Sequence, residues 1–238
     1  MSQKTHKKNA SSYSGNNLDF SVVQVGRSPS YTGNLTGTPR KVKDSCADIY
    51  NLIQKWNCLN CTGTEILKKI ANSKIQFIEG ERYIDTHNTY VTSSEGAGDF
   101  PVGLEDLCDL LLQTHQQMKE TVSKLEKITR QLENLCRLTE MQKSTHKNVS
   151  EEVNKDPEII DAPLFLTWSM RSFYQNAQDL LRQYQKELKV KRCVVEEVAH
   201  LHERDALMFF VSSWTYQPYI EDSSQLIVES MVVETGLR

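Results

Sequence analysis

The sequence predicts an all-α protein in which long, coiled-coil-like helices form an elongated bundle, preceded by a disordered N-terminal tail. Apolar residues recur at every third or fourth position through most of the chain, which is the period of a helix with one buried face. Gly and Pro number only 10 and 6 among 238 residues, and 25% of the residues are charged. This composition suits solvated helices better than a β-sandwich or a doubly wound sheet.

The predicted tail covers residues 1–38, which are rich in Ser, Asn, Gly, Lys and Thr. Its isolated apolar residues cannot bury enough surface to offset the entropy that is lost on ordering. The pattern changes at Thr38-Pro39, where Thr can cap a helix and Pro suits its first turn. We therefore expect the first helix to begin at residue 39.

A helical hairpin is predicted over residues 39–78. Apolar side chains recur at helical spacing to about residue 60, and Gly63 is expected to end this helix. Thr64 is expected to begin a second helix that ends near residue 78. The polar, Gly-containing residues 79–103 are predicted to form a flexible linker.

Residues 104–142 carry a heptad repeat that predicts one coiled-coil helix. Five residues fall seven apart and form a candidate seam: Leu104, Leu111, Met118, Leu125 and Leu132. The four-residue offset is filled by Cys108, His115, Val122, Thr129 and Cys136. A lone helix cannot bury this seam, so it packs either on the chain's own C-terminal helices or in an intermolecular coiled coil, including a homodimer. The spacing leaves both alternatives open.

A second linker is predicted at 143–163 and a C-terminal helical region at 164–238. A long helix should follow the cap candidate Ser169 and end near His202. Two short helices joined by a Pro turn should come next, the last of them closed by Gly236. Three aromatic residues are candidate partner anchors, although such residues more often belong to a core: Trp214, Tyr216 and Tyr219.

Composition argues against several classes of function. A net charge of −3 provides no overall basic field for a nucleic acid, and no apolar run is long enough to span a membrane. Without a secretory signal, the six scattered cysteines are expected to be the reduced thiols of a soluble intracellular protein. Cys58 and Cys61 have zinc-knuckle spacing, but no second pair lies nearby. Because no catalytic, cofactor or metal motif appears, we expect a protein that is not an enzyme and needs no cofactor.

Two proline-directed positions in the predicted tail are candidates for phosphorylation. Thr38 opens the sequence TPRK, which has the Ser/Thr-Pro-x-Lys/Arg form that cyclin-dependent kinases prefer. Ser28, also followed by Pro, is a weaker candidate. A phosphate on Thr38 would lie at the N-terminus of the first helix, where the helix dipole favours negative charge.

Four blocks that together cover roughly half of the chain carry a resemblance to a known family. They are PRKVKDSCADIYNLIQKW at 39–56, APLFLTWSMRSFY at 162–174, FYQNAQDLLRQYQKELKVKRCVVEEVAHL at 173–201 and SSWTYQPYIEDSSQLIVESMVVETG at 212–236. In their order and spacing, these blocks are similar to the cyclin-dependent kinase 2-interacting protein family. The tail, the 79–103 linker and the outer face of the 104–142 helix show no such match, so no family property is carried over to residues there.

The resemblance implies a nuclear adaptor, also present in the cytoplasm, that acts in the cell cycle, cell division and DNA replication. The implied partners are a cyclin-dependent kinase, the Cdc7 kinase, the ATR-interacting protein of the DNA-damage and repair checkpoint, and subunits of an AAA-ATPase complex. That complex is implied in replisome turnover and in ribosome biogenesis, at maturation of the large subunit. The residues themselves indicate less: seams that need protein partners, and flexible connections. From heptads alone, a structural coiled-coil subunit of a cytoskeletal or transport complex is an open alternative.

Overall fold

Five α-helices form the part of the chain that this computed structural model describes, namely the backbone of residues 35–87, 101–147 and 162–238 and the side chains of 35–80, 101–142 and 162–238. The helices are α1 (Gly37–His87), α2 (Leu104–Lys147), α3 (Met170–Glu197), α4 (Arg204–Tyr216) and α5 (Ser223–Glu234). A 3-10 turn, Val198–His200, follows α3, and these ranges contain no strand. The all-α prediction is confirmed. The predicted tail up to residue 34, with Ser28, and the interiors of both predicted linkers lie outside the described residues.

The helices form a four-helix bundle in which α4 and α5 share the fourth position. α2 packs on α1 and on α3, while α4 and α5 each pack on α1 and on α3. The first residue of α4, Arg204, lies 3.0 Å from Glu79 in the C-terminal part of α1. Gly236, just beyond α5, accepts a hydrogen bond from Nζ of Lys43 near the start of α1 at 3.2 Å. α4 and α5 therefore run antiparallel to α1 as one interrupted helix, as in simple up-and-down bundles.

α1 continues through Gly63, so the predicted break at this residue and the predicted hairpin over 39–78 are wrong. The glycine serves packing, because a Cβ at this position would lie 2.3 Å from Cζ2 of Trp214. Its missing side chain lets the indole of α4 approach the α1 backbone. Thr64 does not cap a new helix but donates its hydroxyl to the Asn60 carbonyl, four residues earlier, at 2.9 Å.

Both long helices extend further than the sequence predicted. α1 begins at Gly37, whose φ of 70° brings the chain into the helix, so Thr38 is a half-buried residue of the first turn rather than the cap. Residues 79–87 and 143–147, predicted as linker, belong to α1 and α2. Neither stretch contains a proline and only one glycine occurs, at Gly80, so no residue sterically ends either helix.

The predicted ends of the C-terminal helices are confirmed at two positions. Ser169 caps α3, and its side chain accepts a hydrogen bond from the Ser172 N–H at 3.2 Å. After α5, Gly236 has a φ of 62° and its N–H donates to the Val233 carbonyl at 3.0 Å. The following N–H, of Leu237, reaches back to Val232 at 3.0 Å. This pair of bonds is the glycine-dependent ending known as the Schellman motif.

The core lies along the bundle axis, and α3 shows its pattern most directly. The residues of α3 that face this core are spaced alternately three and four apart: Met170, Phe173, Ala177, Leu180, Tyr184, Glu187, Lys191 and Val194. Trp56 of α1 meets Tyr184 edge to face, with ring centroids 5.1 Å apart. Across the described segments, no helix combines the length and apolar content that crossing a membrane requires.

Replacing Gly63 and Gly80 by alanine should change stability in opposite directions. In Gly63→Ala the new methyl group collides with Trp214 inside the bundle, so we expect the free energy of unfolding to fall by about 1–3 kcal/mol although alanine favours helices. Gly80 lies in the same helix, and no surrounding atom comes within 4 Å of an added Cβ. Gly80→Ala should therefore raise the free energy of unfolding by up to about 1 kcal/mol. Urea unfolding followed by circular dichroism measures both, and equal effects would contradict the contact of Trp214 with Gly63.

Candidate protein-interaction site

The candidate seam of α2 lies inside the bundle. Its five members are each at most 5% exposed and belong to the core that α2 shares with α1 and α3: Leu104, Leu111, Met118, Leu125 and Leu132. The structure thus places the heptad residues in the internal arrangement rather than between two chains. A partner could reach this seam only if the bundle opened.

Two polar residues at the offset positions of α2, Thr129 and His115, form hydrogen bonds to backbone groups of the bundle, and Nε2 of His115 is buried without such a bond. Thr129 donates its hydroxyl to the Leu125 carbonyl at 2.9 Å, so it needs no partner from another helix. His115 is half-buried, and burial lowers its pKa while a hydrogen bond with the Leu188 backbone acts in the opposite direction. A lowered pKa leaves the imidazole neutral at pH 7, as expected for a packed side chain.

The three candidate anchors lie in different environments. Trp214 is fully buried, and its indole N–H donates to the Asn60 carbonyl at 3.2 Å. Tyr216 and Tyr219 are 82% and 48% exposed. Both tyrosines are therefore accessible to a partner, whereas Trp214 fixes α4 to α1.

A buried ion pair lies beneath this surface. Lys191 and Glu187 are one turn apart on α3, both side chains are fully buried, and Nζ lies 3.3 Å from Oε1. Nζ also donates to Oδ1 of Asn60 at 2.7 Å and to the backbone carbonyl of Trp214. The same ammonium lies 4.6 Å from the centroid of the Trp214 ring. A single charged group therefore joins α1, α3 and α4.

The ion pair also positions the turn between α4 and α5. The second carboxylate oxygen of Glu187 accepts a hydrogen bond from the Tyr219 backbone N–H at 3.1 Å. Nε1 of Trp56 donates to Oε1 of Gln217 at 2.6 Å, and Gln217 ends α4 with a φ of 49°. A non-glycine residue in this left-handed region requires such support. The exposed Tyr216 and Tyr219 thus flank a turn that buried side chains hold from below.

Lys191 and Glu187 are not among the candidate residues predicted from the sequence. The signal was present, because both fall into the series of three- and four-residue steps that continues from Tyr184 to Val194 on α3. Opposite charges one turn apart usually indicate a solvated surface pair. At core positions of a heptad they indicate a buried pair instead, whose charges need further hydrogen bonds.

A groove of about 320 Å³ opens beside Tyr219, between α3 and the turn. Its walls include Arg182, Lys186 and Pro218, and Arg182 lies 2.6 Å from the carboxylate of Asp179. Because acidic and basic side chains both line the groove, its charge is nearly balanced. It is a recess next to an exposed aromatic ring, which is the form of site that accepts a single side chain of a partner.

The zinc-knuckle pair Cys58 and Cys61 lies exposed on α1. In the described part of the chain, no three His, Cys, Asp or Glu side chains are grouped so that they could hold a metal ion. Cys46, by contrast, is buried, and burial raises the pKa of its thiol to about 12. That thiol therefore stays protonated and packs as a small apolar group.

Comparison with known proteins identifies relatives that share one name, cyclin-dependent kinase 2-interacting protein. The chain is 35% identical to the Bos taurus and Homo sapiens proteins over 208 residues, which are 86% of this chain and 92% of each relative. The Xenopus laevis protein is 32% identical over 209 residues with the same coverage. No protein-family model matches the chain. The similarity thus extends well beyond the four blocks that carry the resemblance.

Burial of Lys191 should make stability depend on pH in a defined direction. Desolvation lowers its pKa to about 8, and Glu187 acts in the opposite direction. Between about 8 and the ordinary lysine value of about 10.4, the unfolded chain holds a proton that the folded chain has released. The contribution of Lys191 to the free energy of unfolding therefore rises with pH through this window.

A variant that removes both charges, Lys191→Met/Glu187→Gln, lacks this titration. We expect its stability to fall relative to wild type as the pH increases from about 7 to about 9.5. Urea unfolding of both proteins across the window measures the difference, with Lys186→Met at an exposed position of α3 as the control. A difference from wild type that does not change with pH would be evidence against a buried ammonium at this position.

Proposed function

Because the chain belongs to the cyclin-dependent kinase 2-interacting protein family, we propose that it is a non-catalytic adaptor that binds a cyclin-dependent kinase through the surface of its helical bundle. The relatives' name supplies the kinase, and the bundle suggests where the kinase binds. With the α2 seam buried, the exposed aromatic side chains of the α4–α5 region are the apolar groups best placed for a partner. This exposure carries the proposal.

The finer roles rest on the family resemblance. We propose that the adaptor links the cyclin-dependent kinase and the Cdc7 kinase to the replication machinery. We further propose that it supports ATR checkpoint signalling with the ATR-interacting protein. Membership of an AAA-ATPase complex that acts in replisome turnover and ribosome maturation, and a nuclear location with a cytoplasmic pool, belong to the same proposal. An adaptor leaves the chemistry to these partners, so the chain needs neither a catalytic group nor a cofactor.

The alternative of a structural coiled-coil subunit in a cytoskeletal or transport complex has weaker support. It requires the heptad seam to pack against helices of other chains. Since that seam is buried among α1, α2 and α3, the described side chains of α2, up to residue 142, offer no continuous apolar stripe of that length for such an assembly.

Kinase binding should depend on the two exposed tyrosines. We expect Tyr216→Ser/Tyr219→Ser to weaken binding of purified cyclin-dependent kinase 2 by about tenfold or more, because aromatic anchors contribute most of the energy of many interfaces. Leu138→Ser/Met141→Ser, which changes an exposed apolar pair on α2, should leave the affinity within about twofold. Biolayer interferometry measures both. No binding by wild type would refute the proposed kinase partner, and equal loss in both variants would refute its assignment to the tyrosines.

Phosphorylation at Thr38 should occur when the chain is incubated with active cyclin-dependent kinase 2 and its cyclin. Thr38 lies in the first turn of α1, and helix ends fray, so the TPRK sequence can open to enter the kinase. A phosphate there should also stabilise the bundle by about 0.3–1 kcal/mol through the helix dipole. Phosphopeptide mass spectrometry and thermal unfolding measure these effects, with Pro39→Ala as the control that removes the proline signal. Failure to find phosphate on Thr38 after complete reaction would refute this prediction.

A further inference from the structure

We propose that the outer face of α4 docks an amphipathic helix of a partner protein whose polar flanks carry lysine and arginine. This inference rests on the proposed function, because it assigns the partner surface of the adaptor to one face of one helix. It also assigns the chemistry of the partner segment, which the relatives' name does not give.

The outer face of α4 carries three large apolar side chains that are exposed, together with the polar Asp205 and Ser212. Met208, Phe209 and Tyr216 are 48%, 66% and 82% exposed, and their spacing places them on one side of the helix. The opposite side holds the residues that the bundle buries: Leu207, Val211 and Trp214. α4 therefore carries large apolar side chains on both sides, whereas a helix with one face in water usually keeps them on its buried side.

Exposed apolar side chains concentrate at this position of the bundle. Residues 204–238 contribute seven of the thirteen large hydrophobic side chains that are exposed in the described part of the chain. Over the same part, α1 and α3 contribute none, although both are longer than α4. α2 contributes four, spread over a helix of 44 residues. The higher density of exposed apolar side chains at residues 204–238 favours this part of the bundle as an interaction surface.

The negative charge of the C-terminal segment favours a partner with basic residues. Residues 204–238 contain two arginines against five carboxylates and no lysine, which gives this short segment a net charge of −3. Glu234 is buried, and the other four carboxylates lie at the surface. Both arginines are engaged, Arg204 with Glu79 at 3.0 Å and Arg238 with Glu229 at 2.7 Å. Asp205 lies on the outer face of α4 itself and is exposed. A second copy of this chain would bring the same negative charge, whereas basic flanks would be attracted.

The length of the outer face of α4 and the spacing of its side chains suit the packing of a partner helix. α4 spans 13 residues, or about 20 Å at the rise of an α-helix. A row of side chains at helical spacing packs into the complementary row of another helix, as ridges fit into grooves. Tyr219 and the 320 Å³ groove beside it lie just beyond the end of α4 and offer a recess for one further side chain.

Two synthetic peptides test this inference on the full chain. Both are about 18 residues long, or five helical turns, and carry the same stripe of leucine and methionine. One has lysine along both flanks and the other has glutamate. Fluorescence anisotropy measures their affinities, and we expect the lysine peptide to bind at least about tenfold more tightly, with an advantage that shrinks as salt is added.

Matched variants test whether α4 is the binding face. Met208→Ser/Phe209→Ser removes the apolar side chains of α4, and Leu138→Ser/Met141→Ser removes a comparably exposed pair from α2. The α4 variant should weaken the lysine peptide by about tenfold or more, and the α2 variant by less than about twofold. Circular dichroism and urea unfolding verify that both variants retain the bundle.

Three results would overturn the inference: equal weakening by the two variants, equal affinity of the two peptides, or no saturable binding of the lysine peptide up to about 1 mM. Binding of cyclin-dependent kinase 2 is measured on the same proteins. If the lysine peptide binds at α4 and the kinase does not bind at all, the proposed kinase partner fails and the docking face stands. If the kinase binds and the peptide does not, the docking face fails alone.

Discussion

The ammonium group of Lys191 must be satisfied in the centre of the bundle, and much of the architecture follows from how it is satisfied. Glu187 supplies the opposite charge from the same helix, Asn60 supplies an amide oxygen from α1, and Trp214 supplies a backbone carbonyl from α4. A buried charge with fewer partners would cost several kcal/mol. The three helices are therefore held in one register, since sliding α1 or α4 by a turn along α3 would take away the acceptor that this helix supplies to the ammonium.

The same contacts connect the core to the outer surface. Glu187 uses its second oxygen to hold the Tyr219 backbone, and Trp214 fits against the bare backbone of Gly63. α4 must therefore end near Tyr216, where its outer face and the exposed tyrosines meet the turn. A surface that presents apolar side chains to a partner stays ordered without that partner because a polar cluster holds it from below, and a preorganised surface loses less entropy on binding.

Local chemistry made part of this structure predictable from the sequence. Ser169 and Gly236 act on neighbouring backbone groups, so their roles could be predicted from short patterns. Gly63 was misread as a break because its partner, Trp214, lies far along the chain and no local pattern indicates that an indole packs there. Nor could the sequence separate Trp214 from Tyr216 as anchors. Residues two apart on a helix point in different directions, and only tertiary packing decides which one faces inward.

The seam of α2 raised the same difficulty at a larger scale. A heptad repeat indicates that an apolar stripe must be covered, but it does not indicate which helix covers it. The structure covers it with α1 and α3 of the same chain, and this choice determines the account of function. If the seam is internal, partners bind the outside of a finished bundle. If it is shared between chains, they bind a dimer.

Light scattering over a range of micromolar concentrations measures the mass of the purified chain in solution. This mass tests most directly whether the α2 seam is covered within one chain or shared between two. We expect a helical monomer of 27.3 kDa, because the five seam residues of α2 are covered within one chain. A species of twice that mass that persists on dilution would contradict it, since the heptads would then be covered by a second chain.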